Sequence, residues 1–182
     1  MPDLQNDIDY VLISDEELDD RITELARAVE ADLGEDGRLL LICVLKGGFM
    51  FLADFSRALN IPHAVDFMAV SSYGDGTSSS GVVRINLDLK QEIDDYDVLI
   101  VEDIIDSGLT LDYLRRLLLE RNPRSLRICA LLSKPSRHKM DVPVDYVGFE
   151  VPDEFVVGYG LDYGELYRNL PYIAVLKPEV FS

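Results

Sequence analysis

Cysteine, histidine and tryptophan are scarce in this sequence, and their scarcity excludes several classes of protein. The 182 residues include two cysteines, two histidines and no tryptophan. Cys43 and Cys129 lie in stretches with the pattern of buried strands, residues 39–45 and 126–132, so we interpret both as small buried apolar residues rather than as a disulfide framework. Two cysteines and two histidines at these spacings cannot build a metal cluster.

Basic residues are few relative to acidic ones. Lysine and arginine number 17 against 34 aspartates and glutamates, which gives a formal net charge of −17 at pH 7. The resulting negative field disfavours nucleic acid and anionic membranes, so we expect neither as a partner. An anionic substrate would have to be held by local cations and a metal ion.

Long apolar runs are absent as well. No run approaches the roughly 18–20 residues needed to cross a bilayer. Residues 1–7 have neither the basic region nor the hydrophobic core of a secretory signal. We therefore expect a soluble, cytoplasmic protein, and the length fits a single domain over residues 1–182 with a sizeable core.

Strand patterns and helix patterns alternate along the chain. Alternation of this kind predicts right-handed crossovers and an α/β fold, with a central, mostly parallel sheet flanked by helices. The predicted strands are residues 38–44, 63–72, 82–87, 98–101, 126–132, 144–149 and 172–177, and the predicted helices are residues 15–33, 49–55 and 109–121.

Residues 98–111 carry the most informative chemistry. An apolar strand, residues 98–101, is followed directly by Glu102 and Asp103, at the strand end where open α/β sheets bind ligands. The loop at residues 106–110, Asp-Ser-Gly-Leu-Thr, leads into a helix and can bind a phosphate through its backbone amides. Two acids beside such a loop would contact sugar hydroxyls or a divalent cation. This combination predicts a phosphorylated sugar bound with magnesium.

Two other segments have the composition of ligand-binding loops. Lys46, Gly47 and Gly48 join a strand to a helix, and paired glycines allow a close approach of the backbone to a ligand, although such a turn is more often only structural. Residues 73–81 contain no apolar side chain after the tyrosine. They form either a flexible connection or a mobile lid over an active site. Neither the Walker motif nor the dinucleotide glycine motif occurs.

Together these segments resemble the hypoxanthine-guanine phosphoribosyltransferases of the bacterial type, in the purine and pyrimidine phosphoribosyltransferase family. The resemblance implies a type I phosphoribosyltransferase fold with a small hood and a flexible lid loop. It implies a purine salvage enzyme that transfers the phosphoribosyl group of phosphoribosyl pyrophosphate to N9 of a 6-oxopurine, hypoxanthine or guanine, with Mg2+ and as a homodimer or homotetramer. The matching segments are residues 45–48, 71–74, 101–110, 131–135 and 147–163.

The resemblance also implies a role for individual residues. Asp106 would be the general base beside the purine, and Glu102 and Asp103 would hold the ribose hydroxyls. Asp162 would join those two acids around magnesium. The 5′-phosphate would be bound by Ser107, Gly108, Leu109 and Thr110, the pyrophosphate by Lys46, Gly47 and Arg168, and the purine by Lys134, Phe155 and Val156, while Ser72 and Tyr73 would belong to the lid.

Two alternatives stay open at this point. A xanthine-preferring relative would differ only in how it recognises position 2 of the purine. A phosphoribosyltransferase-fold regulator, which senses phosphoribosyl pyrophosphate and binds nucleic acid, would need a basic surface, and the excess of acidic residues argues against it.

Overall fold

The computed structural model describes residues 4–33, 37–72 and 83–181, which form two sheets and four helices. The strands are β1 (Ile8–Ile13), β2 (Leu39–Leu45), β3 (His63–Ser72), β4 (Val83–Leu87), β5 (Asp97–Ile105), β6 (Ser125–Ser133), β7 (Tyr146–Glu150), β8 (Val156–Val157) and β9 (Ile173–Leu176). The helices are α1 (Asp15–Asp32), α2 (Phe49–Ala58), α3 (Leu109–Leu119) and α4 (Pro178–Phe181), with a 3-10 turn at Pro135–Arg137.

The larger sheet has six strands in the order β4-β3-β2-β5-β6-β7. Its central pairs, from β3 through β7, are parallel, and β4 runs antiparallel to β3 at one edge. The predicted mostly parallel sheet is confirmed. Because β2, β5 and β6 are adjacent and parallel, their carboxyl ends meet at one edge of the sheet, and the loops that follow them lie side by side.

The sheet is buried on both faces, as its continuous apolar strands predict. Alternate residues of β2 enter two different cores: Leu41 and Cys43 pack with α1 and α2, whereas Leu40 and Ile42 pack with α3. Cys43 and Cys129 are buried free thiols, and burial raises the pKa of each to about 12.

Helix α1 begins where its capping box predicts. The Glu17 amide donates to Ser14 Oγ at 3.3 Å, and the Ser14 amide donates to the Glu17 carboxylate at 2.9 Å. These bonds satisfy amides that would otherwise lack a partner at the helix start, a contribution of about 1 kcal/mol. The buried face of α1 includes Leu18, Ile22 and Leu25, spaced as one stripe of the helix.

The second sheet differs from the sequence prediction. The segment predicted as a last strand of the main sheet is β9, and it lies between β1 and β8 in a separate antiparallel sheet of three strands. We did not predict β1 or α4, because β1 has three exposed residues in succession and lacks a clear alternation, and α4 spans a single turn. This small sheet is the hood that the family resemblance implies.

The end of strand β5 was predicted wrongly, and part of the predicted lid lies outside the described residues. Strand β5 continues to Ile105 instead of ending at Val101, because its pairing with β6 carries on through Glu102 opposite Ala130. Of the predicted lid, Ser72 is the last residue of β3, and Tyr73 lies outside the described residues. Among the helices of the described chain, none has the length and apolar character to cross a membrane.

Candidate active site

The loop after β5 contains the predicted phosphate site. Gly108 caps α3 with a left-handed φ of +77°, a conformation that favours glycine, and the helix then starts at Leu109. The Leu109 amide donates to Ser107 Oγ at 3.4 Å. Ser107, Gly108 and Thr110 line a cavity of about 180 Å³. We name this space the phosphate cavity; Glu102 and Asp106 also line it.

Glu102 and Asp103 lie near the end of β5 and have little access to water. Burial, reinforced by the neighbouring Asp103 charge, raises the pKa of Glu102 well above its usual range. Burial also raises the pKa of Asp103, against the lowering effect of the Ile104 amide, which donates to Asp103 Oδ1 at 2.7 Å. The buried Glu102 Oε2 has no hydrogen-bond partner among the described residues. A pair of acids in this state is suited to receive a cation or hydroxyl donors.

Two glycines allow close backbone packing beside Asp103: Gly47 packs against Asp103, and Gly160 packs against Gly47. A Cβ on Gly47 would lie 1.5 Å from Asp103 Oδ2, and a Cβ on Gly160 would lie 2.1 Å from the Gly47 carbonyl oxygen. The peptide bond between Leu45 and Lys46, just before this contact, is cis. The loop after β2, the acids of β5 and the loop before β9 therefore meet at one point.

The predicted cations of this region are paired with acids. Arg168 Nη2 forms an ion pair with Asp162 Oδ1 at 2.8 Å, and Arg168 Nη1 donates to the Gly160 carbonyl at 2.7 Å. Lys46 Nζ lies 2.8 Å from Glu165 Oε2. The Arg168 charge lowers the pKa of Asp103 and the Asp162 charge raises it. The structure thus places the predicted pyrophosphate and magnesium residues beside one another, together with Glu165, which we did not predict.

A larger cavity of about 580 Å³ also includes Asp106 in its lining, and we name it the purine cavity after the ligand that the family resemblance implies. Lys134 and Phe155 line it together with Asp106. Lys134 Nζ donates to the Glu154 carbonyl at 2.6 Å. Phe155 is 38% exposed and stacks on Phe181 of α4, with ring centroids 4.8 Å apart.

The predicted purine residues do not all have the same exposure. The side chain of Val156 is buried in β8, where the residue pairs with Val175 of β9, so only its backbone is suited to meet a ligand. Phe181 and Arg137 also line the purine cavity, and the sequence analysis assigned neither of them. Arg137 lies two residues beyond the matching segment 131–135, but a lone arginine after a strand has no distinctive pattern.

Asp106 is the residue shared by the two cavities, because it lines both of them. Its carboxylate accepts from Arg137, with Nε 2.7 Å from Oδ1 and Nη2 3.4 Å from Oδ2. A carboxylate between a space for a phosphorylated group and a space for a planar ring can exchange a proton with a molecule in either one.

Comparison with known proteins agrees with this arrangement. The family model described as Phosphoribosyl transferase domain matches residues 14–164. A hypoxanthine-guanine phosphoribosyltransferase of Mycobacterium tuberculosis is 54% identical over 183 residues, which cover 97% of this chain and 90% of the relative. Another, of Bacillus subtilis, is 52% identical over 179 residues, which cover 98% of this chain and 99% of the relative.

A crystal structure of a hypoxanthine phosphoribosyltransferase from Staphylococcus aureus superposes with a TM-score of 0.95 at 47% identity, and the match covers 98% of this chain and 97% of that one. The chain therefore belongs to the phosphoribosyltransferase family, and within it to the hypoxanthine-guanine phosphoribosyltransferases. The expected family, the fold class and the expectation of an enzyme are confirmed.

Proposed function

We propose that this protein transfers the 5-phosphoribosyl group of phosphoribosyl pyrophosphate to N9 of hypoxanthine or guanine, releasing pyrophosphate. The observation that carries the proposal is the position of Asp106 between the purine cavity and the phosphate cavity. The two substrates would bind in the two cavities and meet at this residue.

The sugar phosphate would bind on the phosphate-cavity side. Ser107, Gly108, Leu109 and Thr110 would hold the 5′-phosphate through amides and hydroxyls at the start of α3, where the helix dipole favours an anion. Glu102 and Asp103 would accept hydrogen bonds from the ribose hydroxyls. As the bond to pyrophosphate breaks, the ribose ring gains positive charge, which these acids would stabilise.

The residues present also fit the magnesium ion that the family uses. Glu102 Oε2 is a buried oxygen with no hydrogen-bond partner in the part of the chain that the structure describes, and Asp103 and Asp162 add further carboxylates. In the described part of the chain, no group of three or more histidine, cysteine, aspartate or glutamate residues is arranged to hold a metal alone. We therefore infer that one or two of these carboxylates would bind Mg2+ together with substrate phosphates, as is usual for this ion. Bound Mg2+ would neutralise charge on the pyrophosphate leaving group.

The pyrophosphate would lie beside the loop after β2. Gly47 has no side chain, so its backbone packs directly against Asp103. Lys46 and Arg168 supply positive charge. Both cations now pair with acids, so we infer that pyrophosphate replaces Glu165 on Lys46. Ser72 and Tyr73 stay assigned to a lid that would exclude water.

The purine would bind between Phe155 and the end of β5. Lys134 Nζ, which now donates to the Glu154 carbonyl, would also donate to the 6-oxygen of the purine, and the Val156 backbone would meet the edge of the ring. Asp106 would accept the proton from N7. Adenine carries an amine at position 6, which would face Lys134 donor to donor, so we expect adenine to be a poor substrate.

The remaining assignments complete the proposal. We propose that residues 1–182 form one catalytic domain, that the enzyme assembles as a homodimer or homotetramer, and that it works in the cytoplasm. The two buried free cysteines agree with a reducing compartment. A related structure from Trypanosoma cruzi, 44% identical, was studied for the effect of its C-terminal region on oligomeric state.

Nucleotide formation from phosphoribosyl pyrophosphate and Mg2+ tests the proposal, with hypoxanthine, guanine, xanthine and adenine supplied in turn. We expect turnover of hypoxanthine or guanine and almost none of adenine. A preference for xanthine would identify the xanthine-preferring relative. Binding of phosphoribosyl pyrophosphate without turnover of any purine would overturn the proposal in favour of a regulator.

A further inference from the structure

Arg137 connects the two loops that would surround the purine. Its Nε lies 2.7 Å from Asp106 Oδ1, and its Nη1 lies 3.6 Å from Asp153 Oδ1. Asp106 belongs to the phosphate loop, and Asp153 belongs to the loop that carries Phe155. One guanidinium therefore contacts both Asp106, the proposed general base, and the loop whose Phe155 would stack on the purine.

The backbone fixes the position of Arg137 relative to Asp106. The Arg137 amide donates to the Lys134 carbonyl at 2.9 Å, closing the 3-10 turn at Pro135–Arg137. The Lys134 amide donates to the Ile105 carbonyl at 2.9 Å, and the Lys139 amide donates to the Ser107 carbonyl at 3.0 Å. Hydrogen bonds on both sides thus tie the segment that contains Arg137 to the segment that contains Asp106.

The ion pair between Arg137 and Asp106 is poorly placed to stabilise the fold. The side chains of Arg137 and Asp106 are 49% and 47% exposed, and exposed ion pairs contribute little to folding free energy. Both line the purine cavity. The hydrogen bond from Arg137 to Asp106 and the charges of Asp106 and Asp153 raise the pKa of Arg137, so the guanidinium stays charged.

We propose that Arg137 is a positioning residue, which holds the carboxylate plane of Asp106 in the orientation needed at purine N7 and links that orientation to the loop of Asp153. This inference rests on the proposed function. A carboxylate has about four lone-pair sites, so accepting from Arg137 leaves capacity to accept from the purine. The planar fork of arginine orients a carboxylate in a way that the single ammonium of lysine does not.

A double-mutant cycle on the full-length enzyme tests the proposal. Arg137→Gln should lower kcat about tenfold, less than the loss of the base itself, with the KM for phosphoribosyl pyrophosphate unchanged within about twofold. Arg137→Lys should recover only part of that loss. In an Asp106→Asn background, Arg137→Gln should cause no further loss, because Arg137 acts through Asp106. Single-turnover formation of labelled nucleotide gives the sensitivity that this background needs.

Arg121→Gln is the matched control, because Arg121 forms a comparable ion pair with Asp88 at 2.8 Å outside both cavities. It should leave kcat at the wild-type value. The inference is wrong if Arg137→Gln has a wild-type kcat, or if it costs the same factor with and without Asp106. It is also wrong if the loss of activity follows a loss of Tm and a rise in both KM values. If the wild-type enzyme turns over no purine, the proposed function is wrong, and this inference is wrong as well.

Discussion

Replacing Gly47 with alanine tests the contact between the loop after β2 and the acidic pair of β5. The added Cβ would lie 1.5 Å from Asp103 Oδ2 and 2.6 Å from its Cγ. The backbone of Gly47 is not left-handed, so alanine meets no conformational penalty there, and the clash with Asp103 is the whole perturbation. The variant therefore isolates one steric contact.

The size of the effect follows from the distance. Ordinary contacts require about 3.4 Å or more, so the Asp103 carboxylate has to retreat by roughly 2 Å. A displacement of about 1 Å can cost a hundredfold in rate, and we expect kcat/KM for phosphoribosyl pyrophosphate to fall at least about a hundredfold. The clash in a packed site should also cost about 1–3 kcal/mol of folding free energy, a Tm decrease of roughly 2–10 °C.

Steady-state kinetics with hypoxanthine and thermal unfolding of the same preparation measure both effects. Gly164→Ala is the control, because no atom of the described residues beyond its chain neighbours lies within 4 Å of its Cβ position and its φ of +59° makes the substitution costly only for the backbone. That control should lower Tm slightly and keep most of the activity. If Gly47→Ala keeps kcat/KM within threefold of wild type, the contact with Asp103 does not position a catalytic group, and our reading of the site is wrong.

Three further predictions concern single side chains. Asp106→Ala should lower kcat about a hundredfold or more with little change in the KM for phosphoribosyl pyrophosphate; near-normal turnover would remove Asp106 from the role of general base. Lys134→Ala should mainly raise the KM for hypoxanthine, and an unchanged KM would mean that Lys134 does not read the 6-oxygen. Glu102→Gln should raise the Tm of the free protein at pH 8, because it removes a buried charge, while it lowers activity.

The Glu102 prediction has a definite pH dependence. The pKa of Glu102 is raised in the folded protein, so the folded state holds a proton that the unfolded state releases above about pH 4.3. The contribution of Glu102 to stability is therefore greatest below that pH and is lost as pH rises through the folded pKa. The gain from Glu102→Gln should be small near pH 4 and grow with pH. An equal difference in Tm at both ends of this range would contradict the assignment.

The main sheet and its helices could be predicted from local patterns. The Ser14 to Glu17 capping box, the apolar stripe of α1 and the continuous apolar run of β2 each act within a few residues, and each element formed where its pattern indicated. The predicted end of β5 was wrong, because pairing with β6 keeps Glu102 and Asp103 in the strand. No local pattern contains that information.

The pairing that forms the hood sheet could not be predicted from local patterns, for the same reason. Its strands β1 and β9 are separated by most of the chain, and they pair only because the folded main sheet brings them together. Within the site, roles for Asp106 and Lys134 were predicted from their motifs, whereas the role proposed for Arg137 depends on a 2.7 Å contact with a residue 31 positions away.

The sequence by itself determined the chemistry of this protein: an acidic pair, a phosphate loop and a strand-end lysine, each encoded in a short contiguous segment. Tertiary structure alone decided how those groups meet. Packing of parallel strands placed Asp106 between two cavities, seated Asp103 against Gly47, and paired each of Lys46, Arg137 and Arg168 with an acid. Distances between segments depend on the whole fold, and a linear pattern does not record them.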